Sequence, residues 1–293
     1  MTIAISGASG NLGRLTAEFL LDQVEPSSVV LLTRSPDKLA DLAARGAVVR
    51  AADFGDPAGL TDALAGVDTF LLVSTDAVGV RLDQQEAAIN AAKDAGVGHV
   101  VYTSAPKPTT DNPAIAVADH HATEEALKAS GLTWTFLRNN LYSEFQVAEG
   151  APAVASGQLF TNAPDGAVAW VTRVDLARVA AAVLADATGH ENTAYELGGV
   201  EALTRRDFAA LLTEVTGRPV EVVPVDDAAL EAGLVAAGIP AVVAPVLSTF
   251  GIAAREGYLD GASDIVERLT GTPATPLREV LLAAKDELVG VPA

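Results

Sequence analysis

Apolar and polar positions follow two rhythms in the first half of the chain. Short, nearly continuous apolar runs occupy residues 2–6, 29–33, 47–51, 69–73, 100–103 and 133–137. Between them, apolar residues recur at every third or fourth place, the signature of a helix with one buried face. The runs predict strands. The intervening stretches predict helices at 11–22, from Ser35-Pro36 onward, at 57–64, at 82–95 and at 119–130. Leu12, Leu15, Phe19 and Leu20 share one face of the first helix. Ser35 before Pro36 reads as an N-cap and a first helical residue. Gly66, Gly96 and Gly131 stand where helices should end. Apolar strands that alternate with helices mean a parallel sheet covered on both faces. The expected fold is a Rossmann-type doubly wound α/β sheet, with ligands at the carboxyl ends of its strands.

Beyond residue 140 the rhythm weakens. Residues 151–171 read as loop-rich. A helix is expected over 174–185, a strand over 194–197, a helix capped by Thr204 as far as 215, and a strand over 220–225. Residues 227–290 read as mainly helical, with breaks at Pro240, Gly251 and Pro273. These signals predict a dinucleotide-type domain over 1–150, with 170–198 returning to it, and a smaller, mainly helical C-terminal cap over 199–293 on the substrate side.

Composition narrows the chemistry. Nearly half of the 293 residues are apolar, enough for a sizeable core. The absence of cysteine excludes disulfides, thiolate nucleophiles and iron–sulfur clusters. The four histidines lack a metal-ligand spacing, so no metal site is expected. A net charge of −19 argues against nucleic acid or an anionic membrane as partner. No apolar run reaches the ~20 residues of a membrane span, and no basic leader precedes the first strand. A cytoplasmic monomer or homodimer acting on a small molecule is expected.

The sharpest local signal is Gly7-Ala8-Ser9-Gly10-Asn11-Leu12-Gly13, between a predicted strand and a predicted helix. Gly7 permits the turn, Gly10 lets a pyrophosphate approach the backbone, and Gly13 lets helix and strand pack closely. The helix start then offers N–H groups and partial positive charge to the phosphates. The second strand ends Leu32-Thr33-Arg34, where an NAD site usually carries an acid for the ribose 2′-hydroxyl. Arg34, with Lys38 a turn later, suits a 2′-phosphate, so the expected cofactor is NADPH. The other reading of Arg34 is packing over the adenine or the surface. Asp53 and Phe54 border the adenine position, although Asp53 equally suits a loop cap. Val73, Ser74 and Thr75 end the fourth strand, beside the nicotinamide ribose.

These motifs, with Ala52-Asp53, Val101-Tyr102-Thr103-Ser104 and Leu137-Arg138-Asn139-Asn140-Leu141-Tyr142, resemble the NmrA-like branch of the atypical short-chain dehydrogenases. Within it they are most similar to the bacterial NAD(P)H:quinone oxidoreductases of the second type. The likeness runs from residue 1 to about 290 and takes in Thr172-Arg173-Val174-Asp175 and Tyr195-Glu196-Leu197-Gly198-Gly199. The resemblance implies hydride transfer from NADPH to a quinone-like carbonyl without a flavin. It equally implies two alternatives: a non-enzymatic NADP(H) sensor, and a reductase of azo or triarylmethane dyes. The Tyr-x-x-x-Lys pair of typical short-chain dehydrogenases is missing, because Ala116 and His120 stand in its place.

The expected reaction site lies where the fifth and sixth strands end. Thr103 and Ser104 would hold the nicotinamide carboxamide or a substrate oxygen, and Asn139 would approach from the opposite side. Leu141, Tyr142, Phe145 and Trp170 would form a wall for a flat ring, unless they are ordinary packing between sheet and cap. Tyr142, Ser104, His120 or water would supply the proton; a solvent-facing His120 is the competing reading.

Overall fold

The computed structural model describes residues 1–75 and 80–290. Strands β1 (Ile3–Ile5), β2 (Val29–Thr33), β3 (Val48–Ala51), β4 (Thr69–Leu72), β5 (His99–Ser104) and β6 (Thr133–Asn139) are joined in turn by helices. These are α1 (Asn11–Leu21), α2 (Ala40–Ala44), α3 (Pro57–Ala63), α4 (Arg81–Asp94) and α5 (Ile115–Ser130). Then follow α6 (Glu144–Ser156), the short strands β7 (Gln158–Thr161) and β8 (Ala167–Val168), α7 (Arg173–Ala185) and β9 (Thr193–Leu197). The remainder holds β10 (Leu203–Thr204), α8 (Arg205–Thr216), β11 (Glu221–Pro224), α9 (Asp227–Ala236), α10 (Ala244–Arg255), α11 (Ile265–Thr270), α12 (Leu277–Ala283) and α13 (Lys285–Leu288).

The main sheet runs β3-β2-β1-β4-β5-β6-β9, and every pair is parallel. Strand order reverses between β1 and β4, which opens the ligand crevice beyond their carboxyl ends. Both faces are apolar for the reason the runs implied. Ile3, Ile5 and Leu31 pack under α1 and α7, while Ala4, Phe70 and Leu72 pack against α3 and α4.

Two local expectations fail. Ser35 makes no side-chain cap; a 3₁₀ turn over Pro36–Leu39 precedes the short α2. The stretch expected to be loop-rich begins inside α6, which accommodates Pro152 and ends on the left-handed Gly157, and then carries the short strands β7 and β8. The apolar positions of α6, Val147, Ala153 and Val154, are buried against Phe208 and Leu212 of α8. That tertiary contact outweighs the proline.

The cap has a core built from residues 147–170 and 208–288, which Ala114 and Val117 at the start of α5 join. Val266 and Ala274 pack instead with the sheet core. The chain thus passes between the two cores more often than boundaries at 150 and 199 expect.

Candidate functional site

The phosphate end of the crevice is made of backbone. Gly7 turns with φ +58°, and the Gly10 N–H donates to its carbonyl at 2.8 Å. Gly10 is the N-cap of α1 and has no side chain to satisfy the first-turn N–H groups. No acidic residue occupies that turn, so its donors and positive end remain for an anion. A Cβ on Gly13 would lie 2.4 Å from the Gly7 carbonyl oxygen, and one on Gly10 3.2 Å from it. Above the turn is a cavity of about 390 Å³, walled by Ser9, Gly10 and Asn11 on one side and by Arg173 and Glu144 on the other. Leu12 turns inward and anchors α1 in the core. The Ser9 hydroxyl is hydrogen-bonded to that of Thr33 at 2.8 Å.

Arg34 and Lys38 are both exposed on the segment after β2. Arg14 reaches the same segment, donating to the Lys38 carbonyl at 3.2 Å and pairing with Asp41 and Glu18. Asp53 accepts from the Gly55 N–H at 2.9 Å, and so caps its own loop. Phe54 is half-buried against the core beneath.

The other end of the crevice, past β4, β5 and β6, is made of side chains. The Ser6 hydroxyl accepts from the Val73 N–H at 2.9 Å, and Thr103 Oγ1 accepts from the Ser74 N–H at 2.8 Å. These bonds fix the exit of β4 against β1 and β5. Arg81 donates to the Thr75 carbonyl at 2.6 Å and to that of Ala116 at 3.2 Å. Thr75 Oγ1 and Asn139 Oδ1 are buried and find no hydrogen-bond partner among the described residues. Thr75 lies past the end of β4 and Asn139 is the last residue of β6, on either side of β5. A buried polar atom left unpaired costs about 1–3 kcal/mol, which a polar ligand there would recover.

Beyond Asn139 the rings of Tyr142 and Phe145 lie nearly parallel, 5.9 Å apart. The Arg173 guanidinium sits 4.6 Å from the first ring centroid and 4.7 Å from the second. It also pairs with Glu144 at 3.5 Å. Burial pushes the Tyr142 phenol up from its ordinary range, against the opposing influence of Asn139 and Arg173. Phe145 is 57% exposed and forms the open edge of this aromatic shelf.

Two expected residues lie elsewhere. Trp170 is buried in the cap core beside Phe208, where it is packing rather than wall. His120 turns into the protein, neither a solvent-facing residue nor an available acid. Its Nδ1 is 2.8 Å from the Tyr102 hydroxyl, which also bonds Gln85 at 2.6 Å. Burial, aided by the nearby charge of Arg81, pushes the imidazole down to about 3, so it is neutral near pH 7. Sequence reasoning also passed over Arg173. A cation at the first position of a helix capped by Thr172 was the available signal.

An uncapped glycine turn at the sheet's reversal point, two exposed cations past β2 and orphaned polar atoms past β4 and at the end of β6 define a dinucleotide-binding protein of the Rossmann class. Residues 7–187 match the NAD(P)H-binding family, and the chain belongs to it, in line with the NmrA-like resemblance. The chain is 41% identical to quinone oxidoreductase 2 of Escherichia coli over 278 residues, covering 94% of this chain and 96% of that protein. The crystal structure of that E. coli NADPH-dependent quinone oxidoreductase with NADPH superposes with a TM-score of 0.92 at 40% identity, over 96% of this chain and 98% of the other. Triphenylmethane reductase of Citrobacter sp., complexed with NADP(H), gives 0.89 at 35% identity over 97% and 100%.

Proposed function

We propose that the protein is an NADPH-dependent oxidoreductase that passes hydride to a quinone or a similar small conjugated carbonyl, without a flavin. The observation that carries this reading is one crevice with a phosphate cradle on one wall and a flat aromatic shelf on the other. Arg173 belongs to both, lining the cavity and stacking on Tyr142 and Phe145.

When bound, the reduced nicotinamide supplies the hydride; the chain binds and orients. Gly7, Ser9, Gly10, Asn11 and Gly13 take the pyrophosphate. Arg34 and Lys38 take the 2′-phosphate. Val73, Ser74, Thr75, Thr103 and Asn139 hold the nicotinamide end. Tyr142 and Phe145 stack the acceptor in line for transfer. His120, neutral and tied to Tyr102, donates no proton. A quinone tolerates this, because its reduced anion is delocalised and water can protonate it.

Likeness to a triphenylmethane reductase supports a second reading, reduction of a conjugated dye at the same shelf. The test is oxidation of NADPH, followed by its absorbance, against a panel of quinones and dyes with no flavin added. Turnover on quinones, with NADH much poorer, is the expected result. Turnover on dyes alone would replace quinone as the substrate class. Tight NADPH binding without turnover would leave a sensor in place of an enzyme.

A further inference from the structure

Beneath the end of β5 lies a chain of charges that the hydride transfer does not use. Glu124 on α5 is 1% exposed. Its Oε1 accepts from Ser104 Oγ at 2.7 Å and from Arg138 Nε at 3.0 Å, and its Oε2 accepts from Arg138 Nη2 at 2.7 Å. Arg138 Nη1 donates onward to Glu196 Oε1 at 2.9 Å, and Glu196 Oε2 accepts from the Lys107 N–H at 3.2 Å. Lys107, a non-glycine residue at φ +43°, extends its ammonium to Asp260 Oδ1 at 2.8 Å, in the segment after α10. The network thus starts at a strand end in the sheet and finishes beside the cap.

The polarity of these bonds is set by chemistry. A guanidinium only donates and a carboxylate only accepts. Ser104 has a single hydroxyl hydrogen, and Glu124 takes it. What Ser104 retains is lone pairs. Its neighbour Thr103 has its own oxygen occupied by the Ser74 N–H. An isolated serine at this position would donate or accept at will, whereas this one only accepts. A buried ion pair is desolvated at a cost that an apolar pair would avoid. Its service here is to hold one hydroxyl in one orientation, as outer partners do for groups that meet a ligand.

We propose that Glu124, clamped by Arg138, is a positioning residue that makes Ser104 a hydrogen-bond acceptor for the carboxamide N–H of the nicotinamide. Ser104 is then excluded as the proton donor. The proposal rests on the cofactor assignment made above and not on the identity of the acceptor.

The test is a binding cycle on the full chain with wild type, Ser104→Ala, Glu124→Gln and the double variant. NADPH binding is read by its nicotinamide fluorescence. Binding of 2′-phospho-ADP-ribose, which lacks the nicotinamide, is read by calorimetry. Each single variant is expected to weaken NADPH about ten-fold, the worth of one well-placed hydrogen bond. The double variant should be no weaker than the weaker single one, and the fragment should bind all four proteins alike. Additive losses, reaching about a hundred-fold in the double variant, would overturn the proposal. So would unchanged NADPH affinity in Ser104→Ala, or an equal loss for the fragment. Glu124→Gln leaves Arg138 poorly paired, so Ser104→Ala also carries a test alone: kcat should fall while its pH profile and solvent isotope effect stay as in wild type. An enlarged isotope effect would make Ser104 a proton donor and sink the idea. If wild type binds NADPH but reduces no quinone, the substrate reading fails while the binding cycle still decides this one.

Discussion

The two ends of the crevice are built from different materials. At the end proposed for the phosphates the available groups are backbone N–H groups and exposed cations, and solvent reaches most of them. At the end proposed for the nicotinamide they are side chains whose hydrogen bonds run through the buried interior. The first kind of site depends on local shape. The second depends on residues brought together from four strands and α5. Substitutions at the first should therefore act on the cofactor alone, while those at the second should couple binding to stability.

The largest effect is expected from the glycines. In Gly10→Val, NADPH binding should be lost while the thermal unfolding midpoint stays near that of wild type, since φ at Gly10 is −86° and suits any residue. Undiminished affinity would remove the cradle. Gly13→Val differs, because its Cβ would enter a contact 2.4 Å from the Gly7 carbonyl inside the helix–strand packing. A loss of about 1–3 kcal/mol in stability, measured by denaturant unfolding, should accompany the lost binding. Next comes Arg34→Asp, expected to weaken NADPH about a hundred-fold and NADH hardly at all. Equal losses would refute the 2′-phosphate assignment.

The buried end should reveal itself through pH. His120 lies near 3 in the folded protein against an ordinary 6.5. Below 6.5 the unfolded chain takes up this proton first. The contribution is therefore complete above about pH 6.5 and is lost as pH falls toward 3. The expected slope approaches about 1.4 kcal/mol per pH unit within that window. His120→Asn should flatten it, as measured by denaturant unfolding across the acid range. An identical slope in the variant would place the acid sensitivity elsewhere. The smallest effect belongs to the open edge of the shelf. Phe145→Ala should raise KM for a flat acceptor by a few-fold, about 0.5–1.5 kcal/mol of stacking, and leave KM for NADPH unchanged. A rise confined to NADPH would detach the shelf from the substrate.

The same division explains what could be read without the structure. The cradle was legible because glycines at 7, 10 and 13 act through their own backbone, and the parallel sheet because buried strands are apolar throughout. The place of Arg34 and Lys38 after β2 was legible, and the 2′-phosphate role proposed for them is what the Arg34→Asp comparison tests. His120 was misread because one helix position says nothing about which way it faces, and Tyr102 and Gln85 lie 18 and 35 residues away. Glu124 and Arg138 escaped notice for a similar reason. Charged residues on a helix and a strand usually read as solvated, and only their meeting beneath Ser104 shows otherwise. Helix α6 was hidden by Pro152, whose cost is met by packing against α8 that no local pattern encodes.

The last strand of the main sheet has a consequence for how the protein is made. β9 pairs with β6 through Leu197, so the sheet cannot be completed until that residue has left the ribosome. Until then the outer side of β6 presents unpaired peptide groups, the kind of edge that recruits stray strands. The nascent chain passes through a window in which the crevice is already outlined but its border is still adhesive. Synthesis speed and chaperone cover across that interval should govern yield more than the stability of the finished fold.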